Sequence, residues 1–344
     1  MRFLLVSTFV PFINGGARFI VEWLEEQLRD HGHEVERFYL PYLETPGTLL
    51  EQAAAFRLMD LEQSADRLIA FRPPAHVISH PDKFVWFIHH IRAFYDLWGG
   101  PYAPPPTLAN QALRDTLHRL DTSTLSEARK IYTNSKVVGD RLRAFNGLDS
   151  EVLYPPILHP ERFRCSGFGD EILVVCRVEN HKRQALLIDA MAWVNSPAKL
   201  RLCGSTSGPD YATELREKIS ALGLDDQVIF EDRWISEQEK ADRLAGALAT
   251  AYLPLDEDSY GYPSLEAAHS GKAVITTTDS GGVLELVEDG VNGLVVPPDP
   301  RAIGQAIDRL WFDKAAAERM GRANTARLSE LHINWTRVVE AFTQ

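Results

Sequence analysis

Residues 254–293 carry the side chains and spacings from which chemistry can be predicted. Asp258 stands eight positions before Glu266, with Gly261 and Pro263 between them. Proline is tolerated in the first turn of a helix because its missing N–H would be unpaired there, so a helix is predicted to begin at about Pro263. The N–H groups and dipole of a helix start attract phosphates. Two carboxylates beside a phosphate site suit a nucleotide-sugar, which combines sugar hydroxyls, a diphosphate and a ribose.

The elements that must position these residues alternate between strand and helix patterns along the chain. A cluster of prolines from residue 155 to 160 interrupts the alternation and predicts a domain boundary. The predicted fold class is therefore α/β, with two Rossmann-like doubly wound domains at residues 1–160 and 161–330. Within the first domain, the pattern predicts a helix over residues 48–71 and a strand at 76–79.

Doubly wound sheets bind ligands at the carboxyl ends of their strands, where the strand order reverses. With two such domains, the crevices can face each other across a central cleft. One domain then holds an activated donor and the other an acceptor.

Composition limits the kind of partner that this protein binds. The 344 residues are 45% apolar and 24% charged, as in a soluble globular protein of two domains. A net charge of −12 argues against nucleic acid. Residues 1–165 hold 18 of the 36 Lys and Arg but only 20 of the 48 Asp and Glu. The acidity is thus concentrated in the second half, and any lipid-facing surface belongs to the first.

Cysteine usage and hydropathy indicate a cytoplasmic location. The three cysteines lack C-x-x-C spacing, so neither a disulfide framework nor a zinc site is indicated. The apolar amino-terminal run contains a proline and lacks a small-residue cleavage site, which favours a buried strand over a signal peptide. No apolar run approaches the ~20 residues of a membrane span. We expect a cytoplasmic protein whose membrane contact, if it has one, is peripheral at the inner face.

The chain resembles the family 4 retaining glycosyltransferases of the GT-B fold, most strongly from about residue 170 to 296. The family signature Glu-x7-Glu stands here as Asp258-x7-Glu266, with an acid that is shorter by one methylene at the first position. The resemblance implies that Asp258 contacts the donor sugar hydroxyls in the catalytic centre and that Glu266 contacts the ribose. It also implies close approach to the sugar and phosphates by four neighbouring residues: Gly261, Tyr262, Ser264 and Leu265.

Two cations in the segment VVCRVENHK resemble the family element strand–Gly–Arg-x4-Lys, with Cys176 in place of glycine. They are Arg177, just after a predicted buried strand, and Lys182, at the start of a predicted helix. Cleavage of the sugar–phosphate bond leaves extra charge on the diphosphate. Preorganised cations stabilise this charge more in the transition state than in the ground state. We therefore predict catalytic roles for Arg177 and Lys182.

Other donor contacts are also implied by the resemblance. Glu285 matches a Gly-Gly-x-x-Glu element behind the donor site, and a helix-start carboxylate is the alternative reading. Trp234 and Ile235 lie in a stretch that matches the family loop around the nucleobase, and nothing in it separates uracil from guanine. The tail, residues 331–344, corresponds to the helix that crosses back to the first domain in this family.

The first domain contributes a second set of candidates. Asn14-Gly15-Gly16 follows the first strand and resembles the glycine-rich donor loop of the family, although a Gly-Gly pair is more often only a turn. The stretch FVWFIHHIRAFYDLWGG resembles the family element His-x-Pro-x-Arg without its proline. Between the two histidines we favour His90 for the reacting centre. The predicted acceptor contacts are His89, Arg92 and Tyr95.

No cofactor or metal is predicted beyond the nucleotide-sugar co-substrate. Asp256-Glu257-Asp258 matches the D-x-D triplet of another glycosyltransferase fold, which has one domain and holds Mg²⁺ or Mn²⁺ through carboxylates. This chain instead has two predicted domains and carries cationic side chains where a metal would otherwise be needed. The glycines at residues 15 and 16 do not form G-x-G-x-x-G, so NAD binding is not supported.

These observations predict a retaining, metal-independent glycosyltransferase. It would move a hexose from a UDP- or GDP-sugar to a hydroxyl of a glycan or lipid-linked acceptor. The resemblance implies attack from the front face, with a leaving phosphate oxygen accepting the proton. Two alternatives stay open. A nucleotide-sugar 2-epimerase shares the architecture and would act without an acceptor, and a non-catalytic nucleotide-binding relative would bind a donor without turnover.

Overall fold

The computed structural model describes residues 1–9, 15–206 and 208–344, with only the main chain of Pro209. Asn14 of the predicted glycine loop lies outside the described residues. The chain divides into two compact units. The first comprises Met1–Pro155 and Asn334–Gln344, and the second comprises Pro156–Ile333.

The first unit is a parallel six-stranded sheet with helices as crossovers. Its strand order is β2-β1-β3-β4-β5-β6, which is typical of a doubly wound fold. Its strands are β1 (Arg2–Phe9), β2 (Glu34–Pro41), β3 (Arg67–Ala70), β4 (Lys83–Phe87), β5 (Lys130–Thr133) and β6 (Glu151–Val152). Its first four helices are α1 (Gly16–Asp30), α2 (Leu49–Arg57), α3 (Leu108–Leu125) and α4 (Lys136–Asn146).

Local sequence explains where these helices begin. Thr107 and Ser135 cap α3 and α4, because each side-chain oxygen accepts a hydrogen bond from a main-chain N–H three residues on. Gly147 ends α4 with a φ of +66°, a conformation that glycine adopts without steric cost. Both helices therefore follow from residues that a sequence pattern can identify.

The second unit is also a parallel six-stranded sheet, with the order β12-β11-β10-β7-β8-β9. Its strands are β7 (Glu171–Val175), β8 (Lys199–Cys203), β9 (Val228–Glu231), β10 (Ala249–Ala251), β11 (Val274–Thr277) and β12 (Gly293–Val296). Its helices are α5 (Gln184–Met191), α6 (Pro209–Ala221), α7 (Glu237–Gly246), α8 (Tyr262–His269), α9 (Val283–Leu286), α10 (Pro300–Phe312) and α11 (Lys314–Glu330). The strand order reverses between β7 and β10, and a ligand crevice is expected at their carboxyl ends.

A last helix, α12 (Trp335–Thr343), belongs to the first unit. The ring of Phe342 is fully buried and lies 5.4 Å from the ring of Trp86 and 5.3 Å from that of Tyr132. The guanidinium of Arg67 donates to the carbonyls of Phe342 and Gln344. Apolar packing and main-chain hydrogen bonds thus both fix α12 on this sheet. None of the described helices is both long and apolar enough to cross a bilayer.

The prediction of two doubly wound α/β domains is confirmed, but one region was predicted wrongly. The helix predicted over residues 48–71 ends at Arg57, and Arg67–Ala70 within that range is β3. Four buried residues are too few for periodicity to separate a strand from a helix. No strand forms over residues 76–79, because Ala75–Val77 is a 3-10 turn. The buried ammonium of Lys83 donates hydrogen bonds to the carbonyls of His76 and Ile78 and so holds this segment out of the sheet.

Candidate active site

The predicted catalytic lysine lies at the point where the strand order reverses in the second unit. Lys182 ends a single 3-10 turn after β7, and Tyr252 directly follows β10, the neighbouring strand. The Lys182 ammonium donates a 2.8 Å hydrogen bond to the Tyr252 hydroxyl and contacts the Glu257 carboxylate. The Lys182 side chain is only 8% exposed. The Tyr252 hydroxyl and the Glu257 carboxylate therefore fix the position of the Lys182 ammonium.

Electrostatics keep Glu257 ionised in this cluster. Burial disfavours the charged carboxylate, but the ammonium of Lys182 outweighs burial and lowers the pKa of Glu257 below its usual value. The Tyr252 hydroxyl donates to Glu257 at 3.1 Å. Burial and the Glu257 charge together raise the pKa of Tyr252 well above its ordinary value. The cluster is thus an ammonium, a carboxylate and a neutral phenol.

Arg177 lies in the same segment after β7 and is more exposed. Its guanidinium donates to Glu179 at 2.6 Å, and 42% of its side chain is accessible. The segment that carries both cations is closely packed, since a Cβ at Gly204 would lie 1.8 Å from the carbonyl oxygen of Cys176. The structure therefore brings Arg177 and Lys182 to one loop at the carboxyl end of β7.

Arg183 was not recognised from the sequence, although it ties three segments together. Its guanidinium donates to the carbonyls of Leu253 at 2.6 Å and Pro254 at 2.9 Å, which follow β10. It also donates to Thr277 at 2.7 Å and to Asp279 at 2.8 Å, at the end of β11. No local signal could have revealed this role, because the partners are 70 to 96 residues away.

The start of α8 requires glycine at position 261. Gly261 has a φ of +70°, and an added Cβ would lie 2.4 Å from the ring of Tyr252. α8 begins at Tyr262, one residue before the prediction, and the main-chain N–H groups of Ser264 and Leu265 donate to the Gly261 carbonyl. Asp258 lies on the loop before this helix start, in a half-buried position.

The loop after β11 lies directly against the loop that carries Asp258. Gly281 has a φ of +62°, and a Cβ there would lie 2.4 Å from the Glu257 carbonyl. Gly282 donates its N–H to that same carbonyl at 2.8 Å. Glu285 follows within α9 and is half-buried. The glycine pair is therefore explained by close contact between two backbones.

Glu266 is buried in α8 and has a partner that was missed in the sequence. Its Oε1 accepts a 2.5 Å hydrogen bond from Lys240 of α7. Burial raises the pKa of Glu266, and the lysine opposes that rise. Lys240 is the fourth residue of α7, a helix rich in charged residues. Nothing in the sequence pattern therefore indicated that its side chain is buried.

The predicted nucleobase loop leads directly into α7. Trp234 is 55% exposed, whereas Ile235 is 4% exposed and belongs to the core. Arg233 is held between Glu231 and Glu239 by hydrogen bonds of 2.7 Å and 2.5 Å. Arg243, followed by other arginines, lowers the pKa of Glu231 to about 2. An ionic cluster thus supports a loop whose tryptophan faces solvent.

In the first unit, His89 and His90 differ in their exposure to solvent. His90 is 2% exposed, and its Nε2 bonds the Asn146 side-chain oxygen at 2.9 Å. His89 is half-buried, and its Nδ1 bonds the His90 carbonyl at 2.7 Å. Burial, together with the positive charge of Arg72, lowers the pKa of His89 to about 3. Burial also lowers the pKa of His90 to about 4. Accessibility therefore favours His89, against the preference drawn from the sequence.

The remaining first-unit candidates differ in accessibility. Tyr95 is 2% exposed and donates to the buried Asp121 at 2.5 Å, which is typical of a core residue rather than an acceptor contact. Arg92 is partly exposed and paired with Asp96 at 2.7 Å. Gly15 caps α1, and Gly16 is its first residue.

Comparison with known proteins agrees with this architecture. Residues 168–327 match the family model described as "Glycosyl transferases group 1". Alpha-maltose-1-phosphate synthase of Mycobacterium tuberculosis is 26% identical over 247 residues, which cover 64% of this chain and 62% of that protein. D-rhamnosyltransferase WbpZ of Pseudomonas aeruginosa is 33% identical over 153 residues, covering 44% of this chain and 38% of that protein. The matches thus span less than two thirds of the length of these relatives.

A solved structure extends the likeness to the whole fold. Anabaena HepE, solved in complex with UDP, matches with a TM-score of 0.75 and 19% identity over 100% of both chains. Residues 168–327 are thus similar to the group 1 glycosyltransferases, and the chain has the GT-B fold that the resemblance to family 4 predicted.

Proposed function

We propose that the protein is a retaining, metal-independent glycosyltransferase. It moves a hexose from a UDP- or GDP-sugar to a hydroxyl of a glycan or lipid-linked acceptor. The observation that carries the proposal is the buried ammonium of Lys182 at the carboxyl ends of β7 and β10, on the edge where α8 begins. A positive charge held in a largely buried site stabilises the charge that develops on a leaving diphosphate.

The relatives support a sugar donor that carries a nucleotide. HepE was solved with UDP and with UDP-glucose, and the name of WbpZ describes a rhamnosyl transfer. A uridine nucleotide is accordingly the first donor to test. A guanosine nucleotide is the second.

Each candidate residue has a role in this proposal. The diphosphate competes with Glu257 for Lys182 and receives a second cation from Arg177, while Asp258 orients the sugar and Glu266 binds the ribose. The acceptor hydroxyl attacks from the face that the diphosphate leaves, and its proton passes to the departing phosphate oxygen.

In the same proposal, His89 supplies an uncharged hydrogen-bond acceptor for a hydroxyl of the acceptor substrate. A carbonyl only accepts hydrogen bonds, so Nδ1 of His89 carries the proton that it shares with His90, and Nε2 keeps a lone pair. A neutral imidazole can accept a hydrogen bond from a sugar hydroxyl at neutral pH.

The test combines binding, activity and stereochemistry. UDP, GDP, ADP and their sugars are screened by thermal shift, because a ligand that binds only the folded protein raises its melting temperature. With the donor identified, Lys182→Ala is expected to lower kcat by about 100-fold or more. Lys218→Ala is the matched control, since it removes a lysine that pairs with Asp189 on the surface at 2.7 Å.

Three results would contradict the proposal. Near-normal turnover of Lys182→Ala removes its central residue. Loss of activity in EDTA that a divalent metal restores contradicts metal independence. A product anomer opposite to that of the donor, read by NMR, contradicts retention.

A further inference from the structure

Lys240 of α7 forms a buried ion pair with the carboxylate predicted to bind the ribose. Lys240 is 8% exposed and Glu266 is 6% exposed. The lysine ammonium lies 2.5 Å from Oε1 of Glu266. Because this lysine contacts Glu266 directly, it controls the charge and orientation of that carboxylate.

Charges of alternating sign continue outward from this pair. Lys240 also donates to Glu237 at 2.9 Å, and Glu237 lies 3.6 Å from Arg162. The Glu237 side chain is 41% exposed, so only the outer part of this series meets solvent. The Lys240–Glu266 contact is therefore its desolvated end, where electrostatic effects are strongest.

Stability alone does not account for a lysine at this position. A buried ion pair contributes little to stability compared with apolar side chains of similar volume, because both ions lose their hydration. Removing one partner, however, leaves a buried charge without compensation, and the remaining carboxylate then takes up a proton. What Lys240 provides is an ionised Glu266 in a place where burial favours the neutral acid.

The chemistry of a ribose requires such a carboxylate. Its 2′ and 3′ hydroxyls donate to an acceptor, and a carboxylate accepts hydrogen bonds more strongly than a neutral acid does. With Lys240 on Oε1, Oε2 is the oxygen left for the diol. Moreover, α7 follows the predicted nucleobase loop directly, so the lysine links that loop to Glu266.

We propose, resting on the function proposed above, that Lys240 is a positioning residue for nucleotide recognition. It holds Glu266 as an ionised acceptor at a fixed place, and the protein thereby selects nucleotides that carry a ribose diol.

The pH dependence follows from the groups around Glu266. Lys240 and Glu237 face it from α7, Arg162 from the turn after the domain boundary, and Tyr262 from its own helix. Because Lys240 opposes the rise that burial imposes on the pKa of Glu266, its removal raises that pKa further. As pH is lowered, a variant without Lys240 should therefore lose its preference for the ribose diol at a higher pH than the unaltered protein does.

The experiment measures by calorimetry, from pH 5 to pH 8, the affinities of the protein for UDP and for 2′,3′-dideoxy-UDP. If the protein prefers guanosine, GDP and its 2′,3′-dideoxy form are compared instead. Lys240→Met is expected to lower affinity for the ribonucleotide by about 10-fold to 100-fold and to leave the dideoxynucleotide unchanged. Lys240→Arg should restore most of the preference. Lys218→Met, which breaks the surface pair with Asp189, should keep both affinities and the pH profile.

A double-mutant cycle separates positioning from general damage. In a Glu266→Gln background, Lys240→Met should change the diol preference no further. If Lys240→Met does not fold, Lys240→Gln replaces it, since it keeps a donor without the charge.

Equal loss of both affinities, or an unchanged preference and pH profile, would overturn the assignment of Lys240. Failure of the unaltered protein to bind either nucleotide would instead refute the proposed function itself.

Discussion

Under the proposed function, Glu257 occupies the position at which a donor diphosphate meets Lys182. The Glu257 carboxylate contacts the Lys182 ammonium and accepts a hydrogen bond from the Tyr252 hydroxyl. A bound diphosphate must therefore exchange one anion for another. The proposed function therefore predicts that Glu257, which stands next to Asp258, influences donor affinity without belonging to the family signature.

We expect Glu257→Gln to raise the affinity for UDP by about 3-fold to 10-fold, because the diphosphate no longer competes with a carboxylate for Lys182. Calorimetry measures this change. Glu127→Gln, which alters the ion pairs of Glu127 with Arg57 and Lys83 in the first unit, should leave the affinity for UDP unchanged. A weaker affinity would instead show that Glu257 positions the lysine for the ligand.

Gly261 is restricted by both its conformation and its surroundings. Gly261→Ala should lower the free energy of unfolding by about 1–3 kcal/mol, since it combines a positive φ with overlap on Tyr252. Urea denaturation provides the measurement. The control is Gly246→Ala at the end of α7, where an added Cβ meets nothing within 4 Å. Equal stability of the two variants would refute this account.

At the scale of elements, the loops after β7, β10 and β11 are held together by Arg183. Strands fix only the ends of these loops. The guanidinium adds side-chain connections to main-chain contacts such as that between Gly282 and Glu257.

Arg183→Met keeps the apolar stem of the side chain but leaves several part-buried acceptors without a donor. We expect a loss of about 2–4 kcal/mol in stability and a weaker nucleotide affinity, because the three loops lose their common partner. Arg143→Met is the control, since it removes an exposed pair with Asp149. Full nucleotide affinity in Arg183→Met would show that the loops hold their places without the arginine.

The sequence predicted elements wherever a local signal was present. The sequence pattern predicts strands over residues 171–175, 228–231 and 293–296, and β7, β9 and β12 have these bounds. It also predicts Ser135 as a helix cap, and Ser135 caps α4. The helix start at Pro263 was predicted to within one residue because glycine and proline restrict their own backbone. β3 was missed because all four of its residues are buried, so no alternation distinguishes them from the helical pattern that precedes them.

Side-chain partners could not be predicted in the same way. Lys182 and Glu257 are 75 residues apart, and Lys240 and Glu266 are 26 apart. No periodicity records which charges meet once the sheet has formed. The residue types of the site were therefore predictable, but the pairs that fix their charge and orientation were not.

At the scale of the molecule, buried histidines and paired carboxylates both make stability depend on pH. The folded-state pKa values of His89 and His90, about 3 and about 4, lie below the ordinary value of 6.5, so the unfolded chain binds more protons below pH 6.5. Glu231 acts in the same direction, since its pKa is lowered from 4.5 to about 2. Its stabilisation is present above about pH 4.5 and is lost as pH falls towards about 2.

The free energy of unfolding should accordingly decrease as pH falls below 6.5, because of the two histidines. It should decrease more steeply below about pH 4.5, where Glu231 also contributes. Urea denaturation at a series of pH values measures this profile. His90→Gln should flatten the first part, because a residue that does not titrate replaces the buried imidazole. A profile of His90→Gln with the same slope as that of the unaltered protein would exclude His90 as a source of the dependence.

The position of α12 determines the order in which the two units can be completed during synthesis. The second unit needs only residues 156–333, whereas the first needs both β1, which precedes that range, and α12, which follows it. Until a ribosome has added residues 334–344, the rings of Phe84 and Trp86 lack the phenylalanine that covers them. The aromatic core of the first unit is thus completed only after the whole second unit has been translated.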